Sequence, residues 1–336
     1  MSTSTATRIG INGFGRVGRN YLRAALERGL EVVAVNDVTD PATLAHLLRF
    51  DSTYGRLDRD VRVEGNALLV DGARIEVTAE RDPAHLDWGS HGVDVVIEST
   101  GRFRERDDAA LHLKAGARKV LISAPGKHAD ITVVMGVNEA EYRPDAHDVV
   151  SNASCTTNCV APVLKVLDEA FGIDKAFLTT IHGYTNDQAL LDGPHKDLRR
   201  ARSAAANIIP TSTGAARTAE VVLPRLAGRL DGMAVRVPVE DGSLTDLAVL
   251  VDADVTRDEV NAALKRAAAG PLAGILRYST DPLVSRDIVG DPASCVVDSL
   301  LTQTRDDLVK VFAWYDNEWG YVSRLVDLTT YVCDRL

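Results

Sequence analysis

Two cysteines lie four residues apart in a segment of small polar residues. The segment Ser151–Cys159 reads SNASCTTNC and precedes an apolar-periodic run that ends at Phe171, which predicts a helix that begins near Ser154 or Cys155. In the first turn of a helix, free backbone N–H groups and the helix dipole stabilise a thiolate, the form of cysteine that attacks carbonyl carbons. Cys155 is therefore interpreted either as a nucleophile or as a small buried residue. Cys159, one turn deeper, is expected to pack against the core.

A histidine stands where a second element could bring it to this cysteine. His182 follows a strand-like run, Ala176–Ile181, and opens the polar stretch 183–188, which is typical of a loop at a strand end. A cysteine nucleophile usually depends on a histidine from a separate element to take up its proton. The sequence thus predicts that His182 is the base that activates Cys155. Most of the other histidines are interpreted as solvated surface groups.

A glycine-rich turn lies near the start of the chain. Gly13, Gly15 and Gly18 match the pattern GxGxxG directly after a strand-like run and before a helical one. In this context the glycines let the backbone approach a pyrophosphate at the N-terminus of a helix. Asp37, 19 residues beyond Gly18, ends the next strand-like run and is placed to accept hydrogen bonds from an adenosine ribose. These residues predict a dinucleotide site that prefers NAD to NADP; the alternative is a tight turn capped by Asp37.

The elements around the glycine turn predict an α/β domain. Apolar runs on both faces of a strand are typical of a parallel sheet covered by helices on each side, a doubly wound Rossmann-type arrangement. A helix is expected over 17–28, and an antiparallel excursion over 61–77 because of its turn dipeptides. The predicted strands of this domain are 8–12, 31–36, 93–97, 119–122 and 131–134.

The second half of the chain predicts an α+β domain. Longer alternating strands with segregated helices indicate a mixed or antiparallel sheet, with a hairpin at Asp241-Gly242. A final helix, 320–332, is expected to return to the first domain. The domain limits predicted are 1–154 plus about 318–336 for the nucleotide-binding domain and 155–317 for the catalytic domain. The predicted strands are 175–181, 233–239, 244–251, 294–298 and 308–314, and the predicted helices are 215–226 and 258–269.

Composition excludes several classes of protein. The chain has 336 residues, of which 45% are hydrophobic and 26% charged, as is typical of a globular protein of about two domains. Its net charge of −10 argues against a nucleic-acid partner, and it has no apolar run long enough to span a membrane. Four cysteines without paired CxxC units predict neither a disulfide scaffold nor a metal site. The segment Met1–Thr7 lacks the apolar core of a signal peptide, so a reducing cytoplasm is expected.

Four motifs resemble those of the phosphorylating glyceraldehyde-3-phosphate dehydrogenase family. They are Asn12–Arg16, Ser151–Cys159, Pro210–Gly214 and Trp314–Glu318, and the resemblance extends over almost the whole chain. It implies a cytoplasmic, NAD-dependent enzyme of glycolysis that assembles as a homotetramer. Its small-molecule substrates would be glyceraldehyde 3-phosphate and inorganic phosphate.

The resemblance also implies a role for each site residue. Cys155 would attack the aldehyde, with His182 as general base, to form a thiohemiacetal whose hydride passes to NAD⁺. Phosphate would then attack the resulting thioester to give 1,3-bisphosphoglycerate. Besides the three glycines and Asp37, the residues implied for the cofactor are Arg16, Val17, Arg81, Ser123 and Asn317. Thr185 and Arg236 would hold the C3 phosphate, and Ser154, Thr156, Arg200, Thr213 and Gly214 the attacking phosphate or the C3 phosphate at another stage.

The sequence departs from the family pattern at one position that bears on the cofactor. Gly193 stands where strictly NAD-specific relatives usually carry a leucine that helps exclude a 2′-phosphate, whereas Asp37 and Pro194 favour NAD. One alternative activity is that of erythrose-4-phosphate dehydrogenases, which share the cysteine motif. These relatives tend to lose the runs Thr211–Gly214 and Tyr184-Thr185, both of which are present here. The other alternative is a catalytically silent NAD-binding protein, which would be expected to lack Cys155 or His182.

Overall fold

The computed structural model describes residues 7–336, which divide into two compact units. Unit 1 consists of the residues up to Val133 together with Ala140–Ala153 and Leu325–Leu336, and unit 2 of Val134–Glu139 and Ser154–Arg324. The segment Met1–Thr7 is predicted not to be a signal peptide, and its residues 1–6 lie outside the described residues. None of the helices in residues 7–336 is long and apolar enough to cross a membrane.

Unit 1 is built on a sheet whose central strands are parallel. The strand order is β10-β11-β9-β8-β1-β2-β7-β6-β5, and the pairs from β10 through β7 run parallel, whereas β7, β6 and β5 pair antiparallel. The predicted parallel sheet and antiparallel excursion are thus confirmed. The elements are β1 (Arg8–Asn12), α1 (Arg16–Glu27), β2 (Glu31–Asn36), α2 (Pro41–Arg49), β3 (Phe50–Asp51), β4 (Gly55–Arg56), β5 (Val61–Glu64), β6 (Ala67–Val70), β7 (Ala73–Thr78), β8 (Val95–Glu98), α3 (Arg106–Ala109), α4 (Leu111–Lys114), β9 (Lys119–Ile122), β10 (Ile131–Thr132) and β11 (Val149–Ser151).

Unit 2 is built on a mixed sheet with helices packed against it. The strand order is β13-β14-β12-β15-β19-β17-β16, with β18 paired to β19. The core lies between this sheet and α5, α6 and α7, and includes the fully buried Cys159. The elements are α5 (Cys155–Phe171), β12 (Lys175–Gly183), β13 (Ile209–Ser212), α6 (Ala215–Val222), β14 (Leu230–Val237), β15 (Ser243–Leu250), α7 (Arg257–Ala269), β16 (Leu276–Ser279), β17 (Cys295–Asp298), β18 (Gln303–Arg305), β19 (Leu308–Tyr315) and α8 (Trp319–Cys333).

The last helix, α8, contributes to both units. The residues of the helix up to Arg324 belong to unit 2, and those from Leu325 onward belong to unit 1. Within unit 1, the hydroxyl of Tyr21 on α1 donates a 2.9 Å hydrogen bond to Thr329 Oγ1 on α8. The prediction that the C-terminal helix returns to the first domain is therefore confirmed.

The hairpin predicted at Asp241-Gly242 is wrong. These residues do form a turn, with Gly242 at φ +85° and its N–H donating to Asp241 Oδ1 over 2.8 Å. However, β14 and β15 do not pair with each other, because β12 lies between them, parallel to β14 and antiparallel to β15. A turn dipeptide predicts that the chain reverses its direction, but it does not predict which strands pair. Here β12 lies between the two strands that the turn connects.

Candidate active site

In unit 1, the glycine turn between β1 and α1 has little room for side chains at two of its three glycines. Gly13 has φ +91°, and a Cβ there would lie 2.7 Å from the Thr100 nitrogen. A Cβ at Gly18 would lie 2.2 Å from the carbonyl oxygen of Gly13, whereas one at Gly15 would meet nothing within 4 Å. Gly13 and Gly18 are thus required by the protein's own packing, and Gly15 keeps open the side where a ligand approaches.

The N-terminus of α1 lies at this turn. Its N-cap residue is Gly15, which has no side chain to cap the first N–H groups. Arg16 and Val17 are the first residues of the helix, and Arg16 Nη1 pairs with Asp51 Oδ2 at 2.5 Å. An uncapped helix N-terminus is suited to a pyrophosphate because of its free N–H groups and positive dipole end.

Asp37 connects the end of β2 to the same turn. Its Oδ2 accepts a 2.8 Å hydrogen bond from the Phe14 N–H, and its Oδ1 accepts one of 2.9 Å from the Thr39 N–H. Four of the predicted cofactor residues, Gly13, Gly15, Asp37 and Arg81, line one cavity of about 240 Å³. The open glycine turn, the uncapped helix and a carboxylate in one cavity fit a dinucleotide.

Several other residues line this cavity that are not among the predicted cofactor residues. Asn12, Asn36 and Thr100 lie at or just beyond the carboxyl ends of β1, β2 and β8, which meet at one edge of a parallel sheet. Their positions at strand ends were the available signal. Arg16, Val17, Gly18 and Ser123 are not among the residues that line it; Ser123 follows β9 and donates its N–H to the Glu98 carbonyl over 3.0 Å. Glu80, Val38, Ser99, Arg102 and Phe103 complete the lining.

In unit 2, the helix that carries the candidate nucleophile begins where the sequence predicts. Ser154 is the N-cap of α5, and its Oγ accepts a 3.0 Å hydrogen bond from the Thr157 N–H. Cys155 is therefore the first residue of the helix, and it is partly buried. The Thr156 hydroxyl, which the resemblance assigns to phosphate, lies 2.8 Å from the Tyr315 hydroxyl. That contact joins the helix to β19.

The candidate base approaches Cys155 from β12. His182 is buried, and its Nε2 lies 3.5 Å from Cys155 Sγ. Its Nδ1 lies 2.6 Å from the Gly183 carbonyl oxygen, which can only accept a hydrogen bond. The shorter of the contacts of Nδ1 places the proton of the neutral ring on that nitrogen, and Nε2 then presents a lone pair to the thiol. Arg236 Nη1, which can only donate and lies 3.0 Å from the same Nδ1, accordingly donates to the Gly183 oxygen and not to the ring. The Tyr315 ring packs edge-on against the imidazole with centroids 5.9 Å apart.

Burial shifts the pKa values of both groups against their charged forms, whereas the sequence predicts a thiolate stabilised at the helix N-terminus. It raises the pKa of the Cys155 thiol, although the charge of Arg236 and hydrogen bonds from Thr156 act in the opposite direction. Burial, aided by the Arg236 charge, lowers the pKa of His182 to about 3. The expected net lowering of the cysteine pKa is thus wrong for the ligand-free chain, because desolvation exceeds the effect of the helix terminus. The pair is a thiol facing a neutral imidazole.

Arg236 lies on β14 directly beside His182. The two residues are register partners, and Arg236 Nη1 lies 3.0 Å from both His182 Nδ1 and the Gly183 oxygen. The same nitrogen is 3.5 Å from Thr185 Oγ1, and its Nε is buried without a hydrogen-bond partner. Burial and the nearby Arg200 charge lower the pKa of Arg236. A half-buried guanidinium with unused donor capacity is suited to an anion.

The second group of residues predicted to bind an anion lies around the start of α6. Gly214 is the N-cap of this helix and offers no capping side chain, and Thr213 Oγ1 accepts a 3.2 Å hydrogen bond from the Ala215 N–H. Arg200 pairs with Asp187 and donates from Nε to Thr211 Oγ1 over 3.0 Å. The structure thus places Thr213 and Gly214 at one helix terminus, and it shows Arg200 bonded to protein acceptors.

Asn317 is held by two residues, Ser243 and Asp241, that are not among the predicted site residues. Its side-chain oxygen accepts a 2.5 Å hydrogen bond from the Ser243 hydroxyl, and its backbone N–H donates to Asp241 Oδ1 over 3.2 Å. Ser243 Oγ also accepts a 3.1 Å hydrogen bond from the Gly183 N–H, next to His182. Ser243 therefore connects the strand of the base to Asn317. A single serine at a strand start carries no sequence signal for this role.

Comparison with known proteins identifies the family to which both parts of the chain belong. Residues 7–106 match the NAD binding domain of glyceraldehyde 3-phosphate dehydrogenase, and residues 154–317 match its C-terminal domain. The chain is 60% identical to glyceraldehyde-3-phosphate dehydrogenase 2 of Streptomyces avermitilis and to glyceraldehyde-3-phosphate dehydrogenase of Geobacillus stearothermophilus, over 98% of this chain and 99% of each relative. It is 58% identical to glyceraldehyde-3-phosphate dehydrogenase 1 of Bacillus subtilis over the same shares. Unit 1 accordingly contains an NAD-binding domain, and the chain belongs to the glyceraldehyde-3-phosphate dehydrogenase family.

Proposed function

We propose that the protein oxidises and phosphorylates D-glyceraldehyde 3-phosphate to 1,3-bisphosphoglycerate, with NAD as cofactor. The observation that carries this proposal is the 3.5 Å contact between Cys155 Sγ, at the first position of α5, and His182 Nε2. Residues 1–154 with about 318–336 would bind NAD, and residues 155–317 would carry out the chemistry.

The first step would be attack of Cys155 on the aldehyde carbon. As the S–C bond forms, the thiol proton moves to Nε2 of His182, whose Nδ1–H remains bonded to the Gly183 oxygen. A neutral imidazole is the state that can accept this proton, and the low pKa of His182 keeps the ring neutral before attack. The imidazolium formed then stabilises the negative oxygen of the thiohemiacetal.

Oxidation would follow at the same carbon. NAD⁺, when bound, supplies the acceptor for the hydride that leaves this carbon as the carbonyl reforms. Cys155 retains the acyl group as a thioester, which conserves the energy of oxidation for the next transfer. Within unit 2, Asn317, which the resemblance assigns to the nicotinamide amide, is held by the hydrogen bond that its side-chain oxygen accepts from Ser243 and by the one that its N–H donates to Asp241.

Acyl transfer to phosphate would complete the reaction. A phosphate oxygen attacks the thioester carbonyl, the C–S bond breaks, and the sulfur leaves with the electron pair and regains a proton. Arg236 and Thr185 are proposed to hold the C3 phosphate of the substrate. Thr213 and Gly214 at the start of α6, with Arg200, are proposed to hold the attacking phosphate, and Ser154 and Thr156 border the cysteine.

We also propose that the protein works as a cytoplasmic homotetramer. Four large apolar side chains of one segment of unit 2 are more than two-thirds exposed in the single chain: Leu190, Leu191, Leu198 and Ile208. Contact with other subunits would cover them. Light scattering coupled to size-exclusion chromatography gives the mass of the assembly, and a monomer at micromolar concentration would contradict this part of the proposal.

An assay of NADH formation tests the activity. With glyceraldehyde 3-phosphate, continuous turnover should require inorganic phosphate, and Cys155→Ser should abolish it, with Cys159→Ser as the matched thiol control. Turnover independent of phosphate would refute a phosphorylating enzyme. A higher kcat/KM for erythrose 4-phosphate would favour the alternative substrate, and NAD binding without any turnover would favour the catalytically silent protein.

A further inference from the structure

A buried polar cluster in unit 1 has no part in the reaction described above. His112 on α4 is fully buried, and Trp88 and Glu98 expose no more than 2% of their surface. The Trp88 indole Nε1–H donates a 3.0 Å hydrogen bond to His112 Nδ1, and His112 Nε2 lies 3.0 Å from Glu98 Oε2. Buried polar groups are costly unless each has a partner, so a cluster placed inside a core requires an explanation.

The tryptophan determines the hydrogen-bond direction through this cluster. An indole N–H can only donate, so His112 Nδ1 must accept, and the ring proton must lie on Nε2. The Nε2–H therefore donates to Glu98 Oε2. His112 thus acts as a hydrogen-bond donor that orients the carboxylate of Glu98.

Glu98, at the end of β8, accepts hydrogen bonds from four donors. Oε2 receives the Asn12 side-chain amide over 2.6 Å in addition to His112, and Oε1 receives the N–H and the hydroxyl of Thr100 over 2.8 and 2.5 Å. With all four positions used, the carboxylate is held in one orientation. Each of its contacts other than His112 is with a residue that lines the cofactor cavity.

The cluster continues along the wall of the cavity. Asn12 Oδ1 accepts a 2.7 Å hydrogen bond from Asn36 Nδ2, and Asn36 Oδ1 accepts from Thr78 Oγ1 and from the Glu80 N–H over 2.9 and 2.8 Å. On the other side of Glu98, the Thr100 backbone packs so closely against Gly13 that a Cβ at Gly13 would clash with it. The orientation of one buried carboxylate is therefore transmitted to the strand ends on both sides of the glycine turn.

We propose that Glu98, oriented by His112, is a positioning residue for NAD, because it holds Asn12 and Thr100 in the cavity wall where the dinucleotide binds. Glu98 itself does not line the cofactor cavity. The proposal goes beyond the catalytic function proposed above and depends only on the NAD-binding domain of unit 1.

The test compares NAD affinity with thermal stability in three variants of the full-length protein. In either orientation, the amide N–H₂ of Glu98→Gln faces at least one group that can only donate: Asn12 and His112 on one side, the Thr100 N–H on the other. We therefore expect the Kd for NAD, measured by isothermal titration calorimetry, to rise about 10-fold or more. His112→Phe removes one donor and should raise it about 3-fold or more. Tyr21→Phe, which removes a buried hydrogen bond to Thr329 in the same unit, is the control: its melting temperature should fall while its Kd stays within about twofold of the unchanged protein.

Steady-state kinetics separates positioning from a general loss of folded protein. The KM for NAD should rise in parallel with the Kd, whereas kcat should fall by a smaller factor. If Glu98→Gln and His112→Phe lower the melting temperature as Tyr21→Phe does but leave the Kd for NAD unchanged, the cluster serves stability alone and the proposal is overturned. If Glu98→Gln does not fold, the test depends on His112→Phe, which keeps the carboxylate and its three other donors. Its Kd for NAD and its melting temperature are then compared with those of Tyr21→Phe.

Discussion

One methyl group added to Gly18 would place a carbon 2.2 Å from the carbonyl oxygen of Gly13. An ordinary carbon–oxygen contact needs about 1 Å more, so α1 or the turn must move, and overpacking of this kind costs about 1–3 kcal/mol. Because the clash is with backbone, no side-chain rotation can relieve it. We expect Gly18→Ala to lower the melting temperature of the ligand-free protein and to weaken NAD binding about 10-fold or more, since the moved turn is the one that approaches the pyrophosphate.

Gly15→Ala is the matched control within the same turn. A Cβ at Gly15 would meet no atom within 4 Å and needs no unusual φ, so the ligand-free protein should be as stable as the unchanged one. Gly15 lines the cavity, and its methyl group should weaken NAD binding without lowering stability. Thermal denaturation and calorimetric titration measure the two quantities. The reasoning is refuted if Gly18→Ala retains both stability and affinity, or if Gly15→Ala loses stability as much as Gly18→Ala.

Three other substitutions test the roles assigned to single side chains. His182→Asn should lower the rate of acylation, measured by rapid mixing, by about 10²–10⁴-fold, and an unchanged rate would remove His182 from the mechanism. In the folded chain the pKa of His182 is lowered from 6.5 to about 3. As the pH falls below 6.5, the imidazole therefore takes up a proton in the unfolded chain but not in the folded one, and the free energy of unfolding decreases. Between pH 6.5 and 5, His182→Asn should therefore lose about 2 kcal/mol less stability than the unchanged protein in urea titrations, and equal losses would contradict the shift. Asp37→Gly should raise the ratio of NADP to NAD kcat/KM about 10-fold, and a constant ratio would show that Asp37 does not contact the ribose. Arg236→Leu should raise the KM for glyceraldehyde 3-phosphate about 10-fold or more, and a KM unchanged at equal kcat would exclude it from the C3 phosphate site.

Much of the fold followed from apolar runs and capping residues. The strand Lys119–Ile122 has the predicted bounds, and α5 begins at Cys155 because Ser154 caps it. The helix Pro41–Arg49 was not predicted, although Asp40 accepts from the Thr43 N–H and Pro41 occupies the first turn, a local signal of a helix start. Local chemistry determines where elements begin and end, but the place of β12 between β14 and β15 depends on packing over the whole sheet.

The candidate site divides in the same way. The nucleophile, the base and the glycine turn carry local patterns that identify them. The contacts of Tyr315 with Thr156 and of Ser243 with Asn317 join residues that are distant in the sequence, so no local pattern could reveal them. The pKa of Cys155 could not be predicted either, because its largest contribution is desolvation, which depends on how the finished fold encloses the sulfur.

The charge of Arg236 acts on the pKa values of both His182 and Cys155. Burial, aided by this charge, lowers the pKa of His182, so the imidazole of the ligand-free chain is a weak base; burial also raises the pKa of Cys155, although the Arg236 charge acts against that rise. In the proposed reaction a phosphate group pairs with Arg236 and offsets that charge. The pKa of His182 should then rise by the part that the Arg236 charge contributes, whereas the larger part due to burial remains, and the pKa of Cys155 should rise as well because the same charge lowers it. Pairing of Arg236 with phosphate would thus make the imidazole a better acceptor of the thiol proton and the thiol a weaker donor of it, and the net effect on proton transfer is the difference between the two.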